Sequence, residues 1–304
     1  MKKYFAALIL ILCLCFSACG NNAGVSADAA KSPVSLAEAE VDAEADSEAD
    51  PEEITGAAIS EAEPEEATAP AVEILPEEKT VYPEPVYYEP ADSNSSGAGI
   101  IYLTFDDGPC GYTDDVLEIL ARYDVKATFF LTGQHPGSYP YITSIQKAGH
   151  SIGVHSFTHV YSACYKSEDA FYAECEKMEE IIGEYAGIKP NLLRFPGGSS
   201  NTVSKKYVDG LMTSLSKGVE ERGYTYFDWN VASGDTSKDA TVNTIIANVE
   251  RGIKKHQSSV VLMHDFKINS LKALPYIIEW GQENGYEFRA LTPDSPTCHQ
   301  RINN

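Results

Sequence analysis

The chain has 304 residues with 45 acidic and 23 basic side chains, a formal charge of −22. The charge is uneven: residues 1–98 carry 20 acidic and 4 basic residues, residues 99–304 carry 25 and 19. Such a length allows one large domain or two small ones. A mildly acidic folded part without a basic patch excludes nucleic acid as a partner.

Residues 1–19 read as an export signal. Lys2 and Lys3 form a positive start, and the apolar run from Phe5 to Phe16 is too short to span a bilayer. Ser17 and Ala18 then precede Cys19. This ending resembles a bacterial lipoprotein signal, with Phe16 where that pattern usually has Leu. The resemblance implies that Cys19 is lipidated and holds the chain at the outer face of the cell membrane. Ordinary cleavage and secretion is the alternative. Cys13 and Cys15 read as apolar filler of the run.

Residues 20–98 are mostly Ala, Glu, Asp, Pro and Ser, with almost no aromatics before Tyr82. Such a stretch buries too little apolar surface to offset its ordering entropy. A disordered acidic linker is expected, spanning roughly 50 Å as a flexible chain and more once like charges repel.

From Gly99 onward, short apolar runs alternate with amphipathic segments. The runs cover 100–105, 127–132, 151–154, 192–195, 225–231, 259–263 and 286–291. Helical patterns cover 113–123, 167–185, 204–222, 241–256 and 270–284. A repeated strand-then-helix order predicts an α/β domain with a parallel sheet over 99–304. Seven strands closing on themselves make a distorted, incomplete (β/α) barrel of TIM type. An open doubly wound sheet is the alternative, but no Gly-rich dinucleotide fingerprint follows the first strand. Cys110, Cys164, Cys175 and Cys298 allow three disulfide pairings or four free thiols, and none has the spacing of a structural zinc site.

Polar residues interrupt the runs where barrel strands end. Asp106 and Asp107 close the first run and Gly108-Pro109 breaks it. Two adjacent carboxylates at a buried strand end are costly without a positive partner. His155 ends the third run, His159 follows four residues later, and Arg194 lies in the fourth. Asp228 and Asp235 lie in or after the fifth, and His264 ends the sixth. Strand C-termini of a parallel barrel share one rim, so these residues converge. Two imidazoles and one carboxylate leave open positions on a metal, as hydrolysis requires.

T-F-D-D-G-P at 104–109, H-S-x-x-H at 155–159, R-F-P at 194–196 and L-M-H at 262–264 resemble the polysaccharide deacetylases with a NodB-type domain, carbohydrate esterase family 4. The resemblance covers residues 99–292. It implies that Asp107, His155 and His159 hold one divalent metal, zinc first, with Co²⁺, Mn²⁺ or Ni²⁺ as alternatives. Asp106 is implied as general base, oriented by Arg194, and His264 as general acid. Gly197 N–H is an implied oxyanion donor, with Pro196, Trp229 and Leu262 lining the substrate site. Two departures stand out. Gly197-Gly198-Ser199 replaces an aromatic after Arg-x-Pro, and Asp235-Thr236 lacks a following Trp. Asp235 rather than Asp228 is taken as the partner of His264.

The expected activity is metal-dependent removal of N-acetyl groups from cell-surface glycan, peptidoglycan N-acetylglucosamine first and chitooligosaccharide second. An O-acetyl xylan esterase is an alternative within the same chemistry. A glycan-binding lipoprotein without turnover, or a purely structural one, are alternatives of a different class. The expected partners are the acetylated glycan and the membrane, with the protein a monomer.

Overall fold

A computed structural model describes residues 98–304. The expected export signal, Cys19 and all but the last residue of the expected linker lie outside the described residues.

The described chain is built on an eight-stranded parallel sheet. In order, it runs β1 (Gly99–Asp106), α1 (Thr113–Arg122), β2 (Thr128–Leu131), α2 (Pro140–Lys147), β3 (Ser151–Val154), α3 (Tyr161–Cys164) and α4 (Glu168–Ala186). Then come β4 (Leu192–Leu193), α5 (Leu211–Glu221), β5 (Thr225–Tyr226), β6 (Val231–Ala232), α6 (Val242–Ile253), β7 (Ser258–His264), α7 (Ile268–Glu283) and β8 (Tyr286–Phe288). The sheet order is β5-β4-β3-β2-β1-β7-β6, with β8 pairing the first residues of β1. Every pairing is parallel.

Side-chain alternation along β1 separates two apolar layers. Ile101, Leu103 and Phe105 join the large core under the helices. Tyr102 joins a smaller inner cluster with Phe130, Leu192, Phe227, Val260 and Leu291. Residues i and i+2 share a face of a strand, so Thr104 and Asp106 face the same interior as Tyr102.

The sequence predicts one strand over 225–231, and here the structure differs. β5 and β6 are separate two-residue strands at opposite ends of the sheet order. Yet Tyr226 and Val231 are only five residues apart, a reach of at most about 18 Å. The sheet must therefore curl until its two edges nearly meet. The result is a (β/α) barrel with an unpaired seam between β5 and β6, bridged by residues 227–230.

The predicted helix over 204–222 begins later, at Leu211, because Gly210 takes φ +76 and starts α5 in a left-handed cap. α2 and α3 are absent from the sequence reading. Pro140 occupies the first turn of α2, where proline is tolerated. The four cysteines of the described part are free thiols. Among the described residues no helix is long and apolar enough to cross a membrane.

Candidate active site

β1 delivers the carboxylate pair. Asp106 is its last residue, and Asp107 takes φ +70. This left-handed turn breaks the alternation that would send the two side chains to opposite faces. Gly108 follows where a Cβ would lie 2.3 Å from Asp265 Oδ2, so no larger residue fits.

Arg194, just past β4, is fully buried. Its Nη1 donates to Asp106 Oδ1 at 2.8 Å and to Thr104 Oγ1 at 2.7 Å. Nε donates to Phe227 O at 2.9 Å and Nη2 to Asp228 O at 3.0 Å. The guanidinium also stacks on Phe130, 4.3 Å from the ring centroid. A buried charge this well paired is a fixed part of the interior rather than a surface ion pair. Burial pushes the Asp106 carboxyl above its ordinary range, and Arg194 opposes that rise.

His155 follows β3 and is buried. Its Nδ1 lies 2.7 Å from Arg194 O. A carbonyl only accepts, so Nδ1 carries the hydrogen and Nε2 presents a lone pair to the site. Burial draws the imidazole down to about 3, which keeps it neutral. His159 also has a positive φ, +57. Its N–H donates to Ser156 Oγ at 3.0 Å. The residue before it is tied to α4, since Thr158 N and Oγ1 donate to Glu174 Oε2 at 2.6 and 2.8 Å.

The two Nε2 atoms lie 3.5 Å (His155) and 3.4 Å (His159) from Asp107 Oδ1. One donor atom each from Asp107, His155 and His159 fall within 4.8 Å of one another. Asp107 Oδ1 is buried and accepts no hydrogen bond. A buried oxygen left unpaired between two ring nitrogens is costly. A cation shared by the three groups removes that cost, and two imidazoles with a carboxylate are a donor set suited to zinc. The residues fit a divalent metal.

His264, the last residue of β7, stands beside Asp106 because β1 and β7 pair in register at those two residues. Its Nδ1 is 2.9 Å from Asp235 Oδ1, and Nε2 is 3.8 Å from Asp107 Oδ2. Burial alone would lower the imidazole, but Asp235, then Asp107 and Asp106, outweigh it and raise it to about 9. Burial raises Asp235 too. His264 and the donors Ser270 Oγ (2.5 Å) and His264 N (2.7 Å) outweigh that and hold it below its ordinary value.

Asp228 lies elsewhere, accepting from Ser199 N and Gln300 N. Leu262 is the partly exposed residue of β7 between buried Val261 and Met263, and Trp229 packs against the inner cluster. Pro196 O accepts from Tyr165 Oη at 2.7 Å. Gly197 takes φ +73, and a Cβ there would come within 2.9 Å of Tyr161 Oη.

Sequence reasoning misses Thr104, Glu174 and Ser270, which hold Arg194, the His159 loop and Asp235. Thr104 had a signal: it shares the inward parity of Asp106. Glu174 and Ser270 sit in amphipathic helices and look like ordinary helical polar residues.

A family model described as polysaccharide deacetylase matches residues 93–211. A peptidoglycan-N-acetylglucosamine deacetylase of Bacillus cereus is 35% identical over 212 residues, 68% of this chain and 74% of the relative. The crystal structure of the catalytic domain of peptidoglycan N-acetylglucosamine deacetylase from Eubacterium rectale is 48% identical, with a TM-score of 0.67. It is matched over 96% of its length and 69% of this chain. A family 4 carbohydrate esterase from Streptomyces lividans in complex with acetate is 27% identical, with a TM-score of 0.56, over 67% of this chain and 100% of that one. With the barrel and the rim residues in place, these likenesses assign the chain to the polysaccharide deacetylases of carbohydrate esterase family 4.

Proposed function

We propose that this deacetylase is metal-dependent and removes N-acetyl groups from peptidoglycan N-acetylglucosamine. The observation that carries the metal reading is the orphaned Asp107 Oδ1 between His155 Nε2 and His159 Nε2. The names of the Bacillus cereus and Eubacterium rectale relatives support the substrate.

Asp107, His155 and His159 hold the cation, zinc first. When bound, it supplies Lewis acidity that polarises a carbonyl and makes water a better nucleophile near neutral pH. Asp106 accepts the proton of the attacking water, and Arg194 fixes the carboxylate for that transfer. Its raised pKa makes it a stronger base than a surface aspartate. Gly197 N–H donates to the acetyl oxygen as charge develops there. His264, charged below about pH 9, gives a proton to the sugar nitrogen as the carbon–nitrogen bond breaks and acetate leaves. Asp235 keeps that imidazole protonated and oriented. Leu262, Trp229 and Pro196 bound the acetyl and sugar site.

Residues 1–19 are proposed as a lipoprotein signal and Cys19 as the lipidated residue. Residues 20–98 then space the catalytic domain, 99–304, from the outer face of the membrane. The sequence alone supports this placement.

Acetate release by the zinc-loaded chain from N-acetylglucosamine oligomers, purified peptidoglycan and acetylated xylan tests the reading. Asp106→Asn should lower turnover by roughly 10²–10⁴-fold while zinc binding, read by calorimetry, persists. Full activity after chelation, or in Asp106→Asn, would overturn the mechanism. Release from xylan alone would favour the O-acetyl esterase. Oligomer binding without release would favour the glycan-binding lipoprotein.

A further inference from the structure

Residues 298–304 come back, after β8, to the open seam between β5 and β6. Asp228 N donates to Cys298 O at 2.8 Å. The His299 ring lies flat on Tyr226 of β5, with centroids 3.8 Å apart and planes 6° from parallel. Gln300 N donates to Asp228 Oδ2 at 2.7 Å. Its side chain bridges two further groups: Nε2 donates to Trp229 O at 3.2 Å, and Oε1 accepts from Ser200 Oγ at 2.5 Å. Asn304 donates to Ser204 Oγ at 2.8 Å and accepts from Gly210 N at 2.8 Å. The segment thus lies along residues 226–229, the stretch that bridges the seam, and along the turn after Arg194.

Asp228 is the node of this arrangement. Its buried carboxylate accepts from Ser199 N at 2.7 Å, from Ser199 Oγ and from Gln300 N. Its carbonyl accepts from Arg194 Nη2, the same guanidinium that holds Asp106. One residue therefore joins the returning segment, the turn after Arg194 and the carboxylate of β1.

The turn needs such ties. Gly197 and Gly198 take φ +73 and +78 in succession, and a glycine pair carries the greatest backbone freedom of any dipeptide. A Cβ on Gly198 would come within 3.0 Å of Trp229 Cη2 and 3.1 Å of Gln300 Oε1. The bare turn, the indole and the Gln300 amide therefore share one packed contact.

We propose that the Gln300 side chain, bridging Trp229 O and Ser200 Oγ, makes Gln300 a positioning residue that sets the Gly198–Trp229 wall against which an oligosaccharide binds. The proposal rests on the deacetylase reading above. It makes a residue more than 100 positions away supply the order that Gly198 cannot give itself.

The test uses the full, zinc-loaded chain with Gln300→Ala, and Ser200→Ala as a milder variant that keeps the Gln300 bond to Trp229 O. Two substrates are compared: an N-acetylglucosamine pentamer and 4-nitrophenyl acetate, which is too small to span the wall. Gln300→Ala should raise KM for the pentamer about fivefold to tenfold, with kcat nearly constant, as expected when ground-state positioning is lost. Ser200→Ala should do so less, and neither should alter 4-nitrophenyl acetate turnover. Amide exchange at Asn201 should speed about tenfold in Gln300→Ala, since its N–H is held by Gly198 O, which packs beside the Gln300 amide. An unchanged pentamer KM, or an equal loss on both substrates, overturns the proposal. A wild-type chain that releases no acetate sinks the deacetylase reading instead. Asn201 exchange then decides the positioning role alone, supporting it if faster and overturning it if not.

Discussion

Two residues of the same type at the end of β1 differ because of what surrounds them. Asp106 faces the barrel interior, with Arg194 fully buried beside it. Asp107, turned by a positive φ, faces two imidazoles instead. His155 and His264 differ for a similar reason. His155 gives its Nδ1 hydrogen to a neutral carbonyl and stays uncharged, whereas His264 gives it to a carboxylate and is raised to about 9. If His264 is the acid and Asp106 the base, kcat/KM is bell-shaped in pH. Activity needs Asp106 deprotonated and His264 protonated. The acid limb then lies above the ordinary carboxylate range, and the alkaline limb lies near 9. Asp235→Asn removes the leading influence that raises His264. Its alkaline limb should move down by roughly 1–3 pH units, read from initial rates across pH. A limb that stays near 9 would separate Asp235 from the acid role.

At the scale of elements, each site residue is held by a neighbour on a different strand or helix. The β1–β7 register puts Asp106 beside His264. α4 reaches the loop of the metal site through Glu174, which grips Thr158 immediately before His159. α4 itself is secured by Ser167 Oγ accepting from Ala170 N at its start and Gly187 at φ +68 at its end. Glu174→Ala should leave helicity intact and free the loop that carries His159. Zinc affinity should fall about 10–100-fold, measured by competition with a chromogenic chelator. Thr104→Val tests β1. It deletes one acceptor of a buried guanidinium and the 2.6 Å bond to Val261 O. The cost should be about 1–3 kcal/mol, with the melting temperature falling about 2–4 °C per kcal/mol.

For the described part as a whole, the metal site should couple to folding. Its three donors come from the ends of β1 and β3 and the loop after β3, so a bound cation ties those segments together. A ligand that binds only the folded form stabilises it by about 4 kcal/mol at a thousandfold excess over its Kd. Chelation should therefore lower the melting temperature in calorimetry, and zinc should restore it. An identical melting curve with and without chelator would separate the Asp-His-His cluster from metal binding.

Much of this was determined by local sequence. Strand and helix order follows from apolar periodicity and from Gly and Pro breaks, which are properties of neighbouring residues. The positions of Asp106, Asp107, His155, Arg194 and His264 at or near strand ends follow from the same pattern, because parallel strands share one rim. Tertiary structure alone decided the rest. Residues 225–231 form a single apolar run, yet they split between the two edges of a curled sheet, since closure depends on every other strand. That Asp235, already preferred over Asp228 from the sequence, reaches His264 depends on where that seam falls. So does the return of residues 298–304, whose polar composition carries no periodic signal. Contacts between distant segments are set by how the barrel closes, and no window of sequence contains that geometry.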